Sequence, residues 1–114
     1  MRRDVDLVAD LVNAARFIGE LIAGMTVESF LADRRTHFAV FSQFIIMGEA
    51  ARRLSARLRN ANAHVPWREI ISMRNRVVHG YDEIDWELVW DTAVADVPQL
   101  LEQLERIAHY DEGR

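Results

Sequence analysis

Residues 65–90 read VPWREIISMRNRVVHGYDEIDWELVW, and where this stretch is cut decides the fold. Pro66 suits the first position of a helix, where its missing N–H is not needed. Trp67, Ile70, Ile71, Val77 and Val78 supply an apolar face at helical spacing. Gly80 offers a left-handed cap, so this helix is expected to end near His79. Asp85 is placed to cap a second helix. There Trp86, Trp90, Ala93, Val97, Leu100, Leu104 and Ile107 keep a heptad-like spacing. Pro98 falls inside that helix and should kink it, because it removes a hydrogen bond and crowds the turn before it.

The same period extends outward through the chain. Leu7, Leu11, Ala14, Ile18, Leu21 and Met25 form one stripe, and Val5, Val8, Val12, Ala15 and Ile22 a second beside it. Gly24 suits a stop, and Thr26 then suits an N-cap for a short helix with Glu28 in its first turn. A long helix is expected from about residue 36 to 59, with the stripe Val40, Phe44, Met47, Ala51, Leu54 and Leu58. Phe38, Phe41 and Ile45 widen its apolar face, and Gly48 would let another backbone come close. NANAHV (60–65) reads as a polar connector. No strand pattern, repeat or low-complexity segment is visible. The expected architecture is all-α: an antiparallel up-and-down bundle of four to five helices, formed by one domain over residues 1–114. Two apolar faces are wider than a single seam, so a homodimer is expected. A monomer with a thick core is the alternative.

Half of the 114 residues are apolar, which argues against disorder. The absence of cysteine excludes a disulfide framework and a thiolate metal site. No apolar run approaches the roughly 20 residues of a membrane span. Asp4, Asp6 and Asp10 interrupt what would be the apolar region of a signal peptide, so a cytoplasmic location is expected. The net charge is −4, but it is unevenly spread. Residues 50–79 carry seven arginines (52, 53, 57, 59, 68, 74, 76) against Glu69 alone, whereas residues 80–114 carry two arginines against ten acids. The basic third suits a phosphate backbone, with Arg52, Arg53 and Arg76 as RNA contacts. Its competing role is to pair with the acidic third across the bundle.

The chemistry concentrates at residues 74–81. Histidine exchanges protons near neutral pH. Arginine stabilises charge on a phosphate. Asparagine can orient either one, and tyrosine can stack on a base or donate a hydrogen bond. Together Arg74, Asn75 and His79 suit metal-independent cleavage of RNA, in which a base activates the ribose 2′-hydroxyl. On one straight helix, however, Arg74 and His79 lie about 140° apart. Either the helix unwinds near Gly80, or residues from two copies line one cleft. The bland roles are a carbonyl-capping His79, an Arg74 paired with Asp82 or Glu83, and a Tyr81 that covers the core. His37, His64 and His109 read as lying in polar or terminal surroundings without metal-ligand spacing, so no metal and no cofactor are expected.

Arg74-Asn75-Arg76-Val77-Val78-His79-Gly80-Tyr81 resembles the R-N-x-x-x-H-x-Y signature of the HepT-like branch of the HEPN superfamily. IMGEAARRLS (46–55), the F-L-A-D at 30–33 and the blocks within 65–90 extend the likeness over most of the chain. The resemblance implies a dimeric helical bundle and a metal-independent endoribonuclease with Arg74, His79 and Asn75 in its site. It also implies a toxin whose partner is a minimal nucleotidyltransferase antitoxin that transfers AMP to Tyr81. Gly80 departs from the acidic residue usual between His and Tyr, which bears on the presentation of Tyr81 more than on the Arg–His pair. The alternative function is a non-enzymatic subunit that binds a nucleotide or docks a nucleotidyltransferase.

Overall fold

The computed structural model describes residues 3–80 and 83–112. The first helix, α1 (Asp4–Ile22), buries Leu7, Val8, Leu11, Val12, Ala14, Ala15 and Ile18, so both predicted stripes face the core. Only Val5 of those stripes is exposed. Gly24, at φ 76°, turns the chain. Thr26 then caps α2 (Val27–Ala32) in a reciprocal capping box with Ser29. Asp33 caps α3 (Arg34–Arg53), whose Val40, Phe44, Met47 and Ala51 are fully buried. Helix α1 packs against both α3 and the last helix, α8 (Val97–Glu112). The central layer is therefore three long helices.

The expected single helix over 36–59 is cut in two. Leu54 adopts φ −60° and ψ 146°, and Ser55 caps a separate α4 (Ala56–Ala61). The cause is Asp4 at the start of α1. Its carboxylate accepts from the Ser55 N–H at 3.0 Å and from Ser55 Oγ at 2.6 Å. A long-range acceptor thus competes with the helical ladder at a residue that favours caps.

Pro66 stands one position before α5 (Trp67–Ile71) rather than inside it. Trp67 is buried, and its indole N–H donates to the Asn62 carbonyl at 3.0 Å. Helix α5 crosses α3 at Gly48, where a Cβ would lie 3.0 Å from the Ile71 carbonyl oxygen. The close backbone approach expected of Gly48 is present. After Ser72 the chain forms α6 (Met73–Arg76), one turn long.

Three further expectations are corrected here. The helix ends at Arg76, not near His79, and the next residues form a two-stranded antiparallel hairpin, β1 (Val78–His79) with β2 (Glu83–Ile84). Two-residue strands carry no periodicity for a sequence to display. Phe38 and Ile45 do not widen the core: they are 48% and 45% exposed. His37, in contrast, is buried, and stacks on Trp86 with ring centroids 4.5 Å apart.

Asp85 caps α7 (Trp86–Asp91) through the Leu88 N–H, as expected. A π-helical turn over Thr92–Asp96 joins α7 to α8. It lies immediately before Pro98, so the disturbance expected of that proline is taken up by a widened turn. The fold is all-α apart from the small hairpin. Among the described residues no helix is long and apolar enough to cross a membrane.

Candidate active site

The site is built where α6 gives way to the hairpin. Val77 is buried and anchors the end of α6, while its carbonyl accepts from the Asp85 N–H at 2.7 Å. That bond lies at the open end of the β1–β2 hairpin. Gly80, at φ 68°, makes the turn that only glycine adopts readily. Strand alternation then sets the side chains: Val78 packs on the core and His79 points outward. His79 keeps 57% of its side chain exposed.

His79 no longer follows the rotation of α6, so the straight-helix angle of about 140° does not describe its relation to Arg74: the helix ends at Arg76, before Gly80.

His79 has a partner that sequence reasoning placed only as a helix cap. Asp85 Oδ2 lies 3.3 Å from His79 Nε2, while Oδ1 of the same carboxylate accepts from the Leu88 N–H at 3.0 Å. One carboxylate thus fixes the start of α7 and faces the imidazole. The carboxylate lies on the Nε2 side of the ring. Asp85 is itself well anchored. Trp86, the next residue, sits against His37, Phe38 and Phe41 of α3. The hairpin register puts Glu83 directly across from His79, so Asp85 reaches the imidazole from two residues further along the chain, and no local sequence signal marks it.

Arg74 and Asn75 are exposed on α6, and Arg74 Nη1 donates to Asn75 Oδ1 at 2.9 Å. The amide therefore steadies the guanidinium, and Arg74 forms no ion pair with Glu83. The other arginines expected at an RNA surface are held by acids. Arg52 and Arg53 meet Glu49 at 2.7 and 3.3 Å, and the Arg52 hydrogen bond lowers the Glu49 carboxyl below its usual pKa. Arg76 lies 3.7 Å from Asp96. Tyr81 lies outside the described residues, as does Asp82. Among the described residues, no group of three or more His, Asp or Glu is placed to hold a metal ion.

Comparison with known proteins bears directly on this arrangement. The family described as "Ribonuclease HepT-like" matches residues 11–107, a span that includes the whole site. The chain belongs to the HepT-like ribonuclease family. Among its HepT-like relatives, "Probable ribonuclease HepT" of Thermococcus cleftensis is 31% identical over 106 residues, 93% of this chain and 96% of that one. "Putative RNase MJ0127" of Methanocaldococcus jannaschii is 30% identical over 104 residues, 91% of this chain and 86% of the relative. No solved structure matches the chain.

Proposed function

We propose that this HepT-like chain is a metal-independent endoribonuclease that acts as the toxin of a toxin–antitoxin pair. The observation that carries the reading is His79, solvent-facing on a hairpin and backed by the Asp85 carboxylate at 3.3 Å. Ribonuclease names among the relatives support the same class of reaction.

In this reading His79 Nδ1 accepts the proton of a ribose 2′-hydroxyl. The 2′-oxygen bonds to the adjacent phosphorus, the bond to the 5′-oxygen of the next nucleotide breaks, and that oxygen takes up a proton. The products are a 2′,3′-cyclic phosphate and a 5′-hydroxyl. Arg74 stabilises the extra negative charge on the pentacoordinate phosphorus, and Asn75 keeps its guanidinium aimed. Asp85 stabilises the imidazolium that forms, as a carboxylate behind a catalytic histidine does.

A homodimer remains part of the reading. Phe17 on α1 and Phe38, Ile45 and Ile46 on α3 are exposed apolar residues of the kind that a second copy covers. The regulatory half assigns Tyr81 as the acceptor of AMP from a nucleotidyltransferase antitoxin. Intact-mass measurement of the chain after co-expression with a nucleotidyltransferase encoded beside it tests this half. A gain of one or more AMP units that maps to Tyr81, and that Tyr81→Phe removes, is the expected result. An unmodified chain that remains toxic in the presence of the partner would overturn it.

A further inference from the structure

The arginines of the basic third divide into two groups once their partners are known. Arg52, Arg53 and Arg76 are bound to Glu49 and Asp96. Arg57, Arg59 and Arg68 form no ion pair with any described residue, nor does Arg74 of the candidate site, although the chain as a whole is acidic. Two of the first three line one groove. It lies between α4 and α5, has a volume of about 610 Å³, and is lined by Arg59 and Arg68 together with Asn60 and Pro66. Glu69 is the only acid among the described residues that line it, and it forms no ion pair with either arginine.

Arg59 is the more telling of the two. Its side chain is half-buried, and its Nε is fully buried without a hydrogen-bond partner. Packing, not an internal counter-charge, holds this guanidinium in place. A cation that is partly desolvated and unneutralised attracts an outside anion more strongly than a fully solvated one does. Arg68 adds a second, exposed fork for the same ligand. It stands six residues before Arg74, about 9 Å along the axis at ~1.5 Å per residue and about 120° around it on an ideal helix.

The geometry points to this α4–α5 groove as the binding site for the sugar–phosphate backbone of a single-stranded RNA, with Arg59 and Arg68 its phosphate contacts. The inference rests on the ribonuclease reading and extends it. The catalytic residues hold the phosphate that is cut, and the groove holds a flanking part of the same strand. It also moves the RNA contacts away from Arg52, Arg53 and Arg76, each of which already has a carboxylate within 4 Å.

The test measures binding of a fluorescent oligoribonucleotide to the His79→Ala protein over a range of salt concentrations. Each phosphate contact to a single strand contributes about 0.7 to the slope of log K against log salt. Arg59→Gln with Arg68→Gln is therefore expected to flatten the slope by about 1.4. Arg68→Gln alone, at an exposed position, should remove about half of that. Arg59→Lys restores the charge and should recover most of the slope, which separates charge loss from damage to packing. Arg16→Gln removes the same charge from the α1–α8 surface, where Arg16 is bound to Glu105, and should leave the slope unchanged. If the wild type cleaves RNA but the Arg59, Arg68 double variant keeps affinity and slope, the groove assignment alone falls. If that variant keeps RNA affinity and instead loses a protein partner, the groove is a protein contact and the assignment falls again. If the wild type neither cleaves nor binds RNA, the ribonuclease reading falls and takes the groove with it.

Discussion

Asp85 does two things with one carboxylate, and a substitution can separate them. Asparagine caps helices about as well as aspartate, so Asp85→Asn should hold α7 in place and change stability by only a few tenths of a kcal/mol. It removes the negative charge behind His79 Nε2, 3.3 Å away. Loss of the preferred orientation and protonation of a catalytic group costs on the order of a hundredfold in rate. The expected result is a turnover about 100-fold lower with an unchanged melting temperature, read from RNA cleavage and thermal unfolding of the same preparation. A variant with full activity would show that Asp85 is a helix cap and nothing more. Asn75 belongs to the same scale. Its amide accepts from Arg74, so Asn75→Ala should weaken cleavage through a less ordered guanidinium.

At the scale of elements, the crossing of α3 and α5 depends on one glycine. A Cβ at Gly48 would stand 3.0 Å from Ile71 O and 3.3 Å from Ile70 O, both backbone atoms that cannot swing aside. Gly48→Ala should therefore cost roughly 1–3 kcal/mol, as overpacking does, despite the better helix propensity of alanine. Urea unfolding measures it; an unchanged or raised midpoint would mean that α5 is free to move away. Elements were legible in the sequence where a local rule acted alone. The α1 stripes, the Thr26 cap, the Asp85 cap and the closeness at Gly48 each follow from residues within a few positions. The break at Leu54 was not legible, because its cause is Asp4, fifty-one residues from Ser55. The hairpin was not legible either. Val77 and Val78 fit a helical stripe, and it takes the Val77–Asp85 backbone bond and the β1–β2 pairing to show that the chain has already left the helix. His37 was misread because polar residues precede it in sequence, whereas Phe30 and Trp86 pack on it in space.

For the whole molecule, the acidic balance and the local basic groove fit together. A net charge of −4 opposes indiscriminate binding to nucleic acid, so affinity must come from the few arginines that lack internal partners. The motif residues Arg74 and Asn75 on α6 and His79 on β1 all lie exposed. Their geometry was not legible in the sequence, since it depends on the hairpin. The three-helix layer of α1, α3 and α8 forms a rigid base, and the aromatic contacts to Trp86 tie the site to it. The central claim is that His79 drives attack by the 2′-hydroxyl. Mass spectrometry of the ends left on a defined oligoribonucleotide, cut in the presence of a chelator, tests it most directly. The account predicts 2′,3′-cyclic phosphate and 5′-hydroxyl ends from the wild type, and a rate lower by about 10²- to 10⁴-fold from a folded His79→Ala protein. Products ending in a 3′-hydroxyl, or undiminished cleavage by the His79→Ala protein, would contradict it.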